Sequence, residues 1–171
     1  MSIVWLVIIA ISLAFSVVIF FGAPYVPTLK VQEAAAFELL KLKAGQVFID
    51  LGCGDGRMLV GAAERGLTAI GVELNPFLVI IAKVRTRKHG NRIKVVWGNF
   101  WWSKKELVRA DGVFVFLRQR YMARLDRLMA ECRTKKPAKL ASYAFQIPGK
   151  KALFYSKGIY LYQYPSIAPK S

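Results

Sequence analysis

Apolar and polar positions follow one another along this chain in distinct regimes, and the first is unbroken. From Ile3 to Phe21 no residue is charged, and Ser12 and Ser16 are the only polar side chains. A helix rising about 1.5 Å per residue spans about 28 Å over that run, close to the roughly 30 Å of bilayer hydrocarbon. We read residues 1–22 as a single transmembrane helix. A cleaved secretory signal is the competing reading, but it wants a basic n-region, a shorter apolar core and a small-residue cleavage site, and Met1 and Ser2 supply no such charge. No Lys or Arg precedes the run, whereas Lys30, Lys41 and Lys43 follow it. The positive-inside rule then makes this a single-pass membrane protein whose remainder, residues 23–171, faces the cytoplasm.

After the apolar run, residues 22–27 form a proline-stiffened connector in which helix cannot persist. Thr28 can cap a helix running to about Leu42, which Gly45 ends. Short apolar runs then alternate with amphipathic ones. Strands are expected at Val47 to Leu51, Thr68 to Val72, Ile93 to Trp97, Gly112 to Leu117 and Leu140 to Phe145. Helices are expected at Arg57 to Arg65, Pro76 to His89 and Tyr121 to Arg133, with Asn75 as N-cap and Pro76 at the first helical position. Ala152 to Tyr155 and Ile159 to Tyr164 flank Lys157-Gly158 as a hairpin. The expected architecture is α/β: a Rossmann-like, doubly wound, mostly parallel sheet with a C-terminal antiparallel hairpin.

The composition, 55% hydrophobic, excludes disorder, and the length allows one ordinary domain beside the apolar run. Only Cys53 and Cys132 are present, with no Cys-x-x-Cys or His cluster, so neither a disulfide scaffold nor a metal site is expected. Lys and Arg number 26 against 10 Asp and Glu, a formal net charge of +16, all of it outside the apolar run. Such a surface seeks anions. An anionic membrane surface is the partner favoured by the adjoining anchor, and nucleic acid stays open, with Arg85, Arg87, Lys88 and Arg92 as a phosphate-binding candidate.

Chemistry concentrates after the first strand, in Asp50-Leu-Gly-Cys-Gly-Asp-Gly-Arg57. Three glycines at alternate positions permit positive φ and close approach of a ligand to backbone N–H groups. The dinucleotide fingerprint would need glycine at position 57, where Arg57 stands. An aspartate just before the glycines suits an ammonium group better than a pyrophosphate. Glu73, at the end of the second strand, can accept hydrogen bonds from both ribose hydroxyls.

These motifs resemble those of class I S-adenosylmethionine-dependent methyltransferases over about Val47 to Leu117. The resemblance implies S-adenosylmethionine as cofactor. Asp50, Gly52 and Gly54 would hold its methionine part, Glu73 its ribose, and Asn99 and Phe100 its adenine, with Cys53, Gly56 and Leu74 completing the lining. Asn99 stands where the family commonly has Asp, and keeps a carbonyl acceptor for the adenine amine. Taken with Pro24-Tyr-Val-Pro-Thr28 and Gly71-Val-Glu-Leu-Asn-Pro-Phe77, the chain from about Pro24 to Tyr164 resembles a narrower family. These are the membrane-anchored protein-lysine methyltransferases of the ATP synthase c-subunit and adenine nucleotide translocase, with prokaryotic relatives. That implies a protein substrate with an acceptor lysine, associated with a membrane. The segment Phe116 to Tyr121 departs from the Asn-Pro-Pro-Tyr substrate motif of many amino methyltransferases, so substrate identity does not carry over.

No catalytic residue is assigned. His89 ends a helix, where its charge offsets the dipole, and Cys53 reads as a small residue tolerated by the turn. Trp101 and Trp102 suit a substrate channel, a membrane interface or core packing, and Tyr25 either an acceptor channel or a stiff connector. Two further functions stay open: methylation of a lipid headgroup or small molecule, and tethered nucleic-acid binding with a vestigial cofactor site.

Overall fold

The sheet forms where aliphatic, β-branched and aromatic residues concentrate: Val47–Leu51 (β1), Thr68–Glu73 (β2), Ile93–Trp97 (β3) and Gly112–Val115 (β4). Ala138–Tyr143 (β5), Phe154–Ser156 (β6) and Ile159–Tyr164 (β7) complete it in the computed structural model, which describes residues 2–6, 8–9, 28–132 and 137–166. The strand order is β3-β2-β1-β4-β5-β7-β6. The strands from β3 to β5 pair in parallel, whereas β7 is antiparallel to β5 and β6 to β7. The hairpin therefore inserts its second strand against the parallel sheet and leaves β6 at the edge.

Side chains alternate across the strands and both faces of the central ones are covered, which explains why those runs are largely apolar. Phe48, Phe114 and Ala141 face the helices Lys30–Leu40 (α1) and Arg57–Glu64 (α2). Ile49, Leu51, Val113, Val115 and Leu140 face Lys104–Leu107 (α4) and Met122–Glu131 (α5). The helix Pro76–Thr86 (α3) lies beside α2 and β3. Phe48 is fully buried, and truncating such a phenylalanine costs about 3–5 kcal/mol. Polar pins fix the ends. The Asp111 carboxylate accepts from Val47 N–H (2.8 Å) and Gln46 Nε2 (3.1 Å), tying the start of β1 to that of β4. Lys139 Nζ donates to Leu40 O at 2.7 Å, so one cation of the basic surface turns inward and satisfies a carbonyl at the end of α1.

Several boundaries differ from expectation. The N-cap of α1 is Leu29, with no side-chain cap, not Thr28; the helix stops at Leu40 because Lys41 turns left-handed (φ 47°) and returns its N–H to Phe37 O. Gly45 lies beyond the helix and bonds Gly66 O. The third helix ends at Thr86 and tightens into a 3-10 turn, Arg87–Arg92, kinked at Gly90. The fourth strand ends at Val115, not Leu117, and the fifth covers Ala138–Tyr143, not 140–145. The fifth strand ends there because Ala144 adopts φ 68° and Phe145 N–H bonds Tyr143 O. The short helix α4 has no counterpart among the expected elements. Of the expected transmembrane helix, residues 1, 7 and 10–22 lie outside the described residues, as do Tyr25 and Arg133. Among the described residues no helix is long and apolar enough to cross a membrane.

Candidate active site

Strand order reverses between β1 and β4, and in such sheets the crevice beyond the carboxyl ends at that point receives ligands. The glycine turn lies there. Gly52, Gly54 and Gly56 have φ of 88°, 54° and 80°, conformations that a side chain would strain. A Cβ added at Gly52 would meet nothing within 4 Å, so this backbone borders open space. At Gly56 it would come within 3.1 Å of the Ala82 side chain, so this glycine serves the contact between α2 and α3.

The turn's N–H groups are already committed. Those of Gly52 and Cys53 go to Val72 O (2.8 and 3.1 Å), that of Gly54 to Glu73 Oε2 (2.8 Å), and that of Gly56 to Cys53 O (2.9 Å). The expected row of free donors is therefore absent from these four positions, and the loop is ill suited to cradle a phosphate. Its acceptors point instead to a cation. Asp50 is 3% exposed, and among the described residues no hydrogen bond reaches its carboxylate. Burial, then the nearby charges of Glu73 and Asp55, hold its pKa well above the ordinary carboxylate value. Asp55 itself is paired with Arg57 (2.8 Å) and Arg85 (2.9 Å), which ties the turn to α3.

Glu73 ends β2 with both oxygens in use, Oε2 on Gly54 N–H and Oε1 on Asn75 N–H at 2.8 Å. One carboxylate thus holds the glycine turn and the start of α3 together. Asn75 caps that helix through Phe77 N–H (3.0 Å) with Pro76 in its first turn, as its sequence implies. Gly98 N–H bonds Glu73 O (2.9 Å) and Trp97 Nε1 bonds Leu74 O (3.1 Å), bringing the end of β3 to the end of β2. Leu74 is exposed beside Glu73. Asn99 Oδ1 caps the turn Phe100–Trp102 through Trp101 N–H (3.1 Å), so its carbonyl is partly committed and keeps one lone pair for a ligand. Phe100 packs on Trp101 (centroids 4.6 Å apart), Arg124 lies over the Trp101 ring, and Trp102 stands 82% exposed. Trp101 is thus a packing residue.

Two expected residues play other parts. The Cys53 side chain folds back onto β2: a Cβ at Gly71 would come within 2.6 Å of its Sγ and 2.5 Å of Leu59 Cδ1. Burial first, then the Asp50 and Glu73 charges, push the thiol far above its usual range, so only the Cys53 backbone can face a ligand. Gly71→Ala is accordingly expected to destabilise the protein by about 1–3 kcal/mol, read as a lower melting temperature, by displacing the glycine turn. His89 sits in the 3-10 turn that enters β3, at the amino end of that strand, opposite the carboxyl ends that border the site.

The carboxyl ends of β4 and β5 hold residues that the sequence pattern assigns to strands. Register pairs Leu51 with Val115 and Val115 with Ser142, which sets Phe116 beside Gly52 and Tyr143 beside Phe116. The Phe116 ring lies 4.8 Å from Tyr143 and stacks at 6.4 Å and 13° on Phe145. Ala144 bends the chain so that Phe145 returns to the group, and the hairpin closes on it through Ala144 N–H to Gly158 O (2.8 Å). An aromatic at the carboxyl end of each of two adjacent strands was the available signal. Among the described residues no group of His, Cys, Asp and Glu could hold a metal ion.

A family model described as the ANTKMT methyltransferase domain matches residues 50–153. A lysine N-methyltransferase of the ATP synthase c-subunit from Xenopus laevis is 31% identical over 106 residues, 61% of this chain and 46% of that protein. A protein-lysine N-methyltransferase of Saccharolobus islandicus is 32% identical over 130 residues, 74% of this chain and 79% of that one. Against the vertebrate lysine methyltransferases it matches, the chain spans about half their length. An RNA methyltransferase of Salinibacter ruber solved with S-adenosyl-L-homocysteine shares the fold, with a TM-score of 0.72 at 23% identity over 85% of this chain and 98% of that one. With its glycine turn, its two strand-end carboxylates and a match across most of the sheet, the chain belongs to the ANTKMT methyltransferase domain family.

Proposed function

We propose that this chain is an S-adenosylmethionine-dependent N-methyltransferase acting on lysine side chains of a protein at a membrane. In this reading residues 3–21 are its anchor and the domain lies on the cytoplasmic side. The observation that carries the chemistry is Asp50, a buried carboxylate without a hydrogen bond among the described residues, beside an open glycine turn whose own donors are spent. A ligand bearing an ammonium and a cationic sulfur meets that need, and a nucleotide phosphate does not. The lysine acceptor is supported by the names of the relatives.

When bound, S-adenosylmethionine would supply a methyl group on a cationic sulfur, the neutral acceptor amine forming the C–N bond as the C–S bond breaks, a neutral thioether leaving and the methylated amine losing a proton. Asp50 would accept the ammonium, Gly52 and Gly54 would leave room for the methionine chain, and Glu73 would take the ribose hydroxyls. Leu74, Asn99 and Phe100 border the adenine. Phe116, Tyr143 and Phe145 form the wall against which the acceptor amine is desolvated and aligned. Beside Phe145, Gln146, Lys151, Leu153, Phe154 and Tyr155 line an open groove for the protein substrate. Free lysine has a pKa of about 10.4, so only about one in 2,500 is neutral at pH 7. Desolvation and the neighbouring positive charge lower that value and release the proton to water. The net charge of +16 repels basic peptides and favours a target lysine in an apolar or acidic setting.

Phe116→Ala is expected to lower kcat/KM for the protein acceptor about 10- to 100-fold while cofactor Kd, read by calorimetry, stays within about twofold. The same rate should climb with pH to about 9. A bell-shaped profile centred near pH 6.5 and lost in His89→Ala would reveal a general base instead. The decisive assay follows tritium from the cofactor into membranes prepared with and without the chain. Label in protein, mapped to lysine by mass spectrometry, supports the proposal. Label in the lipid extract, or salt-sensitive RNA binding without transfer, overturns it.

A further inference from the structure

The outer face of α3 has a composition that water alone does not explain. Val79, Ala82 and Thr86 are buried on its inner side. On the outer side Ile80, Ile81 and Val84 are 60%, 46% and 58% exposed, in a stripe at helical spacing that Phe77 begins. Leu74 and Trp97, joined by the indole hydrogen bond, extend the exposed apolar surface at the end of the helix nearest the cofactor crevice. Exposed Lys83 and Arg87 flank the stripe on one side and Arg85 on the other, with Lys88 just beyond the helix. From Pro76 to Lys94 the chain carries six Lys and Arg and no Asp or Glu.

We propose that this face of α3 docks on an anionic lipid bilayer, with Ile80, Ile81 and Val84 entering the interface and Lys83, Arg87 and Lys88 meeting lipid phosphates. Charge complementarity names the occupant: uninterrupted cations flanking an aliphatic stripe are the pattern of an interfacial amphipathic helix. Nucleic acid would meet the same cations, but isoleucine and valine offer its bases no stacking surface. Chain length agrees. Six residues separate the apolar run, which ends at Phe21, from Thr28, where the described fold resumes, and six residues span at most about 20 Å. A domain so tethered to an embedded run stays within reach of the bilayer surface, and because α3 starts at the crevice end of the sheet, docking on its side keeps the cofactor crevice beside the bilayer. This last point rests on the membrane setting proposed above, whereas the docking itself is independent of methyl transfer.

Cys53 and Cys132 are both buried, so an introduced exposed cysteine can be labelled selectively. The full-length chain carrying Val84→Cys with an environment-sensitive dye is placed in phosphatidylcholine vesicles with or without phosphatidylglycerol, some with brominated acyl chains. Ala123→Cys, exposed on α5 across the sheet, is the control, and cofactor binding by calorimetry verifies the fold of each variant. The label at position 84 is expected to shift to the blue and be quenched in phosphatidylglycerol vesicles, less so at high salt, while the label at 123 is unaffected. Lys83→Gln with Arg87→Gln should shift the docked-to-undocked ratio about 30-fold, from about one kcal/mol per basic residue. Equal quenching at both positions, or none, overturns the proposal. So does a concentration-dependent shift without lipid, which would mark a second copy of the chain, or a shift on adding RNA but not vesicles. Methyl transfer, measured separately in detergent, distinguishes failure of this proposal from failure of the enzymatic one.

Discussion

Asp50→Asn is expected to raise the melting temperature of the unliganded protein while lowering its affinity for S-adenosylmethionine about 10- to 150-fold. The two effects have one cause. Burial and the adjacent Glu73 and Asp55 charges raise the pKa of Asp50, so the folded protein holds its proton more tightly than the unfolded chain does. The sign follows from linkage: this group's contribution to stability is unfavourable above the unfolded-state pKa of about 3.9, and it grows as pH rises towards the raised folded value. Asparagine removes that contribution, and relief of about 1–2 kcal/mol corresponds to about 2–8 °C at this size. The same substitution removes a charge-assisted bond to the ligand's ammonium, worth about 1.5–3 kcal/mol. Cofactor binding to the native protein should accordingly release protons and strengthen with pH through the Asp50 titration, which calorimetry in buffers of different ionisation enthalpy detects. Unchanged affinity in Asp50→Asn would sink the assignment of this carboxylate to the cofactor.

Glu73→Ala is expected to weaken the cofactor at least about 100-fold, and its effect on the unliganded protein has the opposite sign. Glu73 is almost as buried as Asp50, but its oxygens satisfy Gly54 N–H and Asn75 N–H. Removing it leaves each donor unpaired, at about 1–3 kcal/mol apiece, and frees the glycine turn from the start of α3. The melting temperature should fall. Glu73→Gln tests the point with little change of volume, since its amide cannot accept at both positions. If either variant melted like the native protein, Glu73 would not be the clasp described here.

The two carboxylates show how much of the site was legible beforehand. Their places at the ends of successive strands could be read from spacing, because an aspartate before alternate glycines and a glutamate after the next apolar run recur with the β-α unit. Their opposite energetics could not be read, because these depend on which backbone N–H groups each carboxylate reaches. The turn's donors illustrate the same point: spacing suggested open N–H groups, whereas folding spends them on Val72 O and on Glu73.

Local chemistry alone placed β1, β3, the Asn75-Pro76 helix start and the hairpin turn, since short apolar runs, an N-cap residue and a Lys-Gly pair each impose their geometry on near neighbours. It also determined the family resemblance and the positive surface. Tertiary structure decided the rest. The strand order put β7 beside β5, and the left-handed Ala144 ended β5 early and gathered Phe116, Tyr143 and Phe145. Packing also turned Lys139 inward, hid the Cys53 thiol against Gly71 and left Ile80, Ile81 and Val84 uncovered on α3. The physical reason is common to all of these: a periodic pattern tells which face of an element is apolar, but only the neighbours assembled around that face determine whether it is buried, open to a ligand or left uncovered.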